Sequence, residues 1–329
     1  MRSLTILFAI LCAAPGHAAL LLYDGFAPVT PDPGTEFNYR PGELLAPLDD
    51  TSGTPHPGQL VPAPYNVNWR YAGGGAAAQK APGIASGSLN YPGLRHPVGN
   101  SVAYDTTQLG SARAGFTSQT SGTVYWSGLL RVNSISTLTS GTNGILLGGF
   151  NNAAGAGTLP TVYGNVLRIR KDATLNQYYI GTGLSAGTGS GVGGNIVQFD
   201  NATPRFEGET VFVVGAYQFV DGIQNDRAYL WINPSVATFM NNALEPAPSL
   251  TSAPGASIGD PVSSIASFNL RNVNTVGNPL LQFDELRVGT DWASVTPTPE
   301  PSVLLIMGFV GAVIIVAGKN RNKLQRLFT

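Results

Sequence analysis

Residues 211–235 read VFVVGAYQFVDGIQNDRAYLWINPS, and this stretch decides the fold class. Two runs rich in β-branched and aromatic side chains flank the turn DGIQND, whose Asp, Gly and Asn suit a chain reversal. In the second run Ala228, Leu230 and Ile232 share one side while Tyr229, Trp231 and Asn233 share the other. That period of two belongs to a strand with two distinct faces. The same grammar, short apolar runs punctuated by Gly, Asn and Ser, recurs outward at 20–26, 101–104, 123–132, 145–150, 166–170, 178–181, 267–270 and 280–288. No stretch of the body carries a 3.6-residue apolar period, so helices should be few and the architecture a sandwich of antiparallel strands. Nine prolines within 27–64 predict a long surface excursion, and seven glycines within 181–194 predict a flexible loop.

Composition narrows the function classes. Charged residues make up 11% of the 329 residues, against about 25% in an average soluble domain, while 41 Gly and 24 Pro favour turns and loops. Residues 19–298 carry 13 basic against 18 acidic side chains, an acidic body with no footprint for a phosphate backbone, so nucleic acid is not an expected partner. Cys12 is the single cysteine and lies near the N-terminus. Without it a mature chain has no disulfide, thiolate metal site or cysteine nucleophile.

The two ends carry addresses. Residues 1–18, MRSLTILFAILCAAPGHA, combine a positive start, a short apolar run, a helix-breaking Pro-Gly pair and small residues before Ala19. This is the layout of a signal peptide helix cleaved between Ala18 and Ala19. At the other end, residues 303–318, VLLIMGFVGAVIIVAG, would extend roughly 24 Å as a helix, enough to cross a bilayer when flanking residues snorkel. Lys319, Arg321, Lys323 and Arg326 follow in the tail 319–329, a positive-inside pattern that makes the tail cytoplasmic. Pro299-Glu300-Pro301 sits in the linker 298–302, and Pro-x-Pro keeps it extended and accessible.

Taken in order, the Pro-Glu-Pro tripeptide, the short apolar helix and the basic tail resemble the PEP-CTERM sorting signal of Gram-negative bacteria that make exopolysaccharide. The resemblance implies an exosortase partner recognising Pro299, Glu300 and Pro301. It also implies export through the inner membrane to the envelope, surface or extracellular matrix. The body carries a second resemblance. LLYDGF at 21–26, GSLNYPGL at 87–94, VYWSGLLRV at 124–132, LWINPS at 230–235 and FDELRVGTDWASVTP at 283–297 look like the concanavalin A-like, laminin-G-like domains found ahead of such signals. It implies a jelly-roll sandwich over 19–297 in which 20–26 lies beside 280–288, bringing the domain's ends together.

Candidate chemistry is sparse. Glycosidases of this fold place paired carboxylates on one strand as E-x-D-x-x-E, a pattern absent here, and Glu207-Gly-Glu209 reads as a solvated turn. No GxSxG, HExxH or phosphate-loop motif occurs. Asp284 shares parity with Leu280, Leu286 and Val288, which places a carboxylate on an apolar side where it needs a partner. A structural hydrogen bond to a neighbouring loop or an arginine is one reading of it, and a calcium ligand is the other. Asp221, Asn225 and Asp226 in the hairpin turn are further oxygen ligands that turn chemistry also explains. Trp69, Tyr71, Tyr91, Tyr125, Trp126, Tyr229 and Trp231 could stack on sugars but read as core, and Trp292 as a plug at the sandwich end. His56 and His96 read as surface residues, and no cofactor is expected unless calcium is held. The expected function is a non-catalytic, exported module serving as a structural or glycan-binding component, with a carbohydrate-active enzyme, a glycosidase or lyase, as one alternative and an unprocessed single-pass membrane protein as another.

Overall fold

The computed structural model describes residues 20–26, 45, 69–72, 82–94, 99–104, 110–138, 140–154, 160, 162–186, 195–222, 225–252, 262–272 and 280–297. The expected signal peptide at 1–18 with its Ala18/Ala19 junction, Pro299, Glu300, Pro301, the apolar segment at 303–318, Lys319, Arg321, Lys323 and Arg326 lie outside them, as do His56 and His96.

Fifteen strands run through the described residues. The first five are β1 (Leu20–Asp24), β2 (Trp69–Tyr71), β3 (Gly83–Ser86), β4 (Asn100–Tyr104) and β5 (Gly110–Gln119). The next five are β6 (Thr123–Ser134), β7 (Ile145–Asn151), β8 (Val162–Lys171), β9 (Tyr178–Ala186) and β10 (Asn195–Phe199). The last are β11 (Thr210–Gln218), β12 (Arg227–Ile232), β13 (Leu250–Ser252), β14 (Ile265–Asn272) and β15 (Leu280–Gly289). The 211–235 stretch forms the hairpin that its periodicity requires, with Val213 opposite Ile232 and Gln218 opposite Arg227.

These strands make two antiparallel sheets. One has eight strands in the order β13-β12-β11-β6-β15-β4-β3, with β1 also paired to β15; the other has seven in the order β10-β9-β8-β7-β14-β5-β2. The first strand therefore lies beside the last, Leu22 opposite Val288 and Asp24 opposite Leu286, as expected. A four-residue helix, α1 (Trp292–Val295), follows β15, capped by the Asp291 side chain, which accepts from Ser294 N at 2.9 Å.

Alternation sorts the side chains into two apolar layers. Val124, Trp126, Leu130, Val211, Val213, Tyr217, Leu230, Phe268, Phe283 and Leu286 meet between the sheets. Tyr125, Leu129, Phe212, Val214 and Trp231 point the other way, and a second cover of Leu89, Phe239, Trp292 and Val295 buries them. Trp292 thus packs edge-on against Trp231, ring centroids 5.2 Å apart, on the outside of the eight-stranded sheet and not as a plug at its end. The sheets approach so closely at Gly215 that an added Cβ would run into the Trp126 ring and Asn165 Oδ1.

One loop expectation is corrected. Residues 181–186 belong to β9, because small glycines still contribute ladder hydrogen bonds when β8 and β10 flank them. Leu45, the described residue within 27–64, is buried in the inter-sheet core and its N–H donates to Pro82 O at 2.7 Å.

Candidate functional site

The outer face of the seven-stranded sheet collects arginines. In β2 Trp69 enters the core, so Arg70 faces out; in β5 Ala112 and Ala114 enter, so Arg113 faces out. Leu167 and Ile169 enter from β8, which turns Arg168 and Arg170 outward, and Leu270 enters from β14, which turns Arg271 outward. Register sets Arg70 opposite Arg113, and Arg113 opposite Asn269. Arg168, opposite Leu146, and Arg271, next to Leu270 opposite Gly148, flank β7 on its two sides.

Tyr163 sits among them. Its hydroxyl donates to Asn269 Oδ1 at 3.1 Å and accepts from Arg271 Nη1 at 3.3 Å. Burial raises the pKa of Tyr163 while the neighbouring Arg271, Arg113 and Arg168 pull it back. Arg271 Nη1 also donates to Pro160 O at 3.2 Å, and Arg113 Nη1 to Ala153 O at 3.4 Å. Arg168 is 7% exposed, donates from Nη1 to Asn143 O at 3.1 Å, and its Nε has no acceptor. Burial, helped by Arg271, lowers its pKa to about 10.

The ion pairs among the described residues, Arg205 with Glu209 and Arg287 with Glu285, lie elsewhere. Among the described residues, Arg168 and Arg271 are therefore buried or half-buried cations held by carbonyl and hydroxyl oxygens with no carboxylate. A desolvated charge in that state is costly, and an incoming anion relieves the cost. Where β8 ends, the face opens into a cleft of about 250 Å³ lined by Arg170, Lys171, Asp172, Tyr179 and Asn201. There the Arg170 guanidinium lies 4.7 Å from the Phe199 ring centroid and donates to Asn201 Oδ1 at 2.6 Å.

The carboxylates singled out from sequence stand apart from this face. Asp284 is fully enclosed: Oδ2 accepts from Leu89 N and Oδ1 from Glu285 N, both at 2.8 Å. Burial pushes its pKa up to about 8. Its position follows a bulge, because Glu285 adopts a positive φ of 55° and the pairing with β6 slips between Asp284 and Arg287. Phe283 and Leu286 consequently both reach the inter-sheet core, Leu280 is exposed, and Asp284 lies opposite Leu129 beneath the outer cover. The simple parity that joined Asp284 to Leu286 and Val288 does not survive that bulge.

Asp221, Asn225 and Asp226 border a second cleft, of about 340 Å³, at the hairpin turn, with the two aspartates in its lining. Asp226 is buried, accepting from the Tyr217 hydroxyl and from Val220 N at 2.7 Å, while Asn225 Nδ2 donates to the Asp221 carbonyl at 2.5 Å. No group of three or more His, Cys, Asp or Glu side chains suited to a metal ion occurs among the described residues. The arginine face was the part that sequence reading missed. Its signal was present in A-R-A at 112–114, L-R-I-R at 167–170 and L-R at 270–271, where cations alternate with core residues.

No protein-family model and no curated protein matches the chain. Among solved structures, the binding domain of Paraclostridial Mosquitocidal Protein 1 is similar at 11% identity, with 69% of this chain and 45% of that one covered and a TM-score of 0.39. The exoplasmic/lumenal domain of VIP36 in its Ca2+/Man-bound form gives 9% identity, 71% and 90% coverage, and a TM-score of 0.35. Domain 4 of AbnA, an extracellular arabinanase from Geobacillus stearothermophilus in complex with arabinotriose, gives 12% identity, 70% and 85% coverage, and a TM-score of 0.34. At these identities the likeness concerns β architecture alone.

Proposed function

We propose that this chain is an exported, exosortase-sorted protein of the cell surface or exopolysaccharide matrix, and that its concanavalin A-like sandwich is a non-catalytic module binding acidic glycans. One observation carries the binding reading: Arg168, buried with its Nε lacking an acceptor, and Arg271, half-buried and bonded to the Tyr163 hydroxyl, flank β7 on the outer side of the seven-stranded sheet, and neither pairs with a described carboxylate. A planar guanidinium matches the carboxylate of a uronic acid in a bidentate fork. The rest of the body is acidic, so the face is where an anionic chain could be held. The export reading rests on the order of sequence signals at the two ends.

Two measurements test the proposal. Titration calorimetry with a polyuronate and a neutral glucan of equal length should show salt-sensitive binding of the polyuronate only. Equal binding of both, or of neither, overturns the acidic-glycan assignment. Intact mass of protein from the native host, with and without its exosortase, should show loss of the leader and of the residues beyond about Pro301 only when the sorting enzyme is present. A mass retaining residues 303–329 in both strains overturns the sorting assignment.

A further inference from the structure

Half of the large apolar side chains that stand exposed among the described residues fall within nine positions: Val236 at 48%, Met240 at 57% and Leu244 at 50%. Isolated exposed aliphatics are ordinary, but three on one short stretch are not. The stretch consists of two 3-10 turns, Val236–Thr238 and Asn242–Leu244, lying over the eight-stranded sheet. Phe239 between them is buried in the outer cover, which fixes the stretch against the body.

Its neighbour is the point where the chain leaves the domain. Met240 N donates to Thr296 O at 3.0 Å, Asn242 Nδ2 to Asp291 Oδ2 at 3.0 Å, and Ala293 N to Asn242 Oδ1 at 2.8 Å. From Pro297 the linker reaches the apolar run at Val303 in six steps, which span at most about 20 Å even when fully extended. A bilayer entered at Val303 must therefore lie within that distance of Pro297, the residue after the one that Met240 N bonds.

We infer that Val236, Met240 and Leu244 form a lipid-facing foot of the domain, seated at the headgroup boundary of the membrane that its C-terminal segment enters. The inference rests on the proposed membrane span. The occupant is neutral lipid surface, because among the described residues the polar side chains of the stretch and its bonded partner, Asn241, Asn242, Glu245 and Asp291, are neutral or acidic and offer anionic headgroups no cation. Aliphatic side chains at the boundary of headgroups and acyl chains gain burial without needing polar partners. The foot would hold the arginine face at a set height and tilt from the membrane until processing releases the domain.

The test uses the chain from Ala19 to Thr329, which keeps every described residue and has no native cysteine, reconstituted in phosphatidylcholine vesicles. Met240→Cys and Leu244→Cys are labelled with an environment-sensitive fluorophore, and Leu175→Cys and Phe206→Cys, exposed to 56% each elsewhere, serve as references. The expected result is a blue shift at 240 and 244, with loss of intensity on adding doxyl-labelled phosphatidylcholine, and neither effect at 175 and 206. Vesicles that carry the protein on flotation but show no shift at 240 overturn the foot alone. A blue shift without lipid quenching assigns the patch to the chain's own tail or a second copy and also overturns it. Failure to float with the vesicles overturns the span and the foot together.

Discussion

Trp126 Nε1 donates to Asn165 Oδ1 at 2.5 Å across the sandwich interior, joining β6 of the eight-stranded sheet to β8 of the seven-stranded one. The same amide spends its nitrogen on Thr182 Oγ1 and on Tyr229 O, both at 3.0 Å, so one side chain links four strands. Each of these groups is away from water, where an unpaired donor or acceptor costs about 1–3 kcal/mol.

Replacing that amide should be expensive. Asn165→Leu keeps the volume but strands the Trp126 N–H and the Tyr229 carbonyl, and the expected loss is about 3 kcal/mol. Urea unfolding followed by tryptophan fluorescence checks this; a change below about 0.5 kcal/mol would mean the network carries no weight.

Gly215→Ala probes the same place by crowding. The new methyl meets the Trp126 ring and Asn165 Oδ1, neither of which has room to withdraw from a filled interior. A destabilisation of about 1–3 kcal/mol is expected, and because both changes act on one network their sum should exceed the double variant's loss.

Arg168→Met separates binding from folding. The cation is buried without a counter-charge, so a long apolar side chain in its place should leave thermal stability unchanged or raise it. Polyuronate affinity should fall at least about tenfold, the loss of one charge-assisted contact. Lower stability with unaltered affinity would assign Arg168 to the scaffold.

Asp284 gives a signed pH dependence. Its folded-state pKa, up to about 8, lies above the ordinary aspartate value near 3.9, so between those limits the unfolded chain has lost a proton that the folded chain keeps. Its contribution to stability is therefore full below pH of about 4, declines by up to about 1.4 kcal/mol per pH unit, and is lost above about 8. In Asp284→Asn that component of the slope should vanish, while any offset from the lost acceptor stays constant with pH. Parallel stability profiles for variant and parent from pH 4 to 8 would refute the raised pKa.

All ten apolar runs read from sequence lie on strands, including β6, β8, β11, β12 and β15, because each carries enough branched or aromatic residues to show its period. The strands that went unread carry weaker signals. In β5, GSARAGFTSQ, alanines and glycine replace the usual bulky residues, since Trp69 and Phe268 on neighbouring strands supply the volume. In β10, NIVQF follows a glycine-rich stretch and pairs only with β9. The turn acids were legible as ligand types, yet the Asp226 carboxylate is engaged by the Tyr217 hydroxyl and Val220 N.

Sequence alone determined the β class, the two-faced hairpin at 211–235 and the apolar layers on each strand, because alternation is a local property that a reader can count. Tertiary structure decided everything that depends on strand order and register. It placed Arg113, Arg168 and Arg271, up to 158 positions apart, on one face, moved Asp284 under the outer cover through the bulge at Glu285, and set Met240 against Thr296. The physical reason is that a strand's period says which residues share a side, whereas only the packing of two sheets says which side meets water.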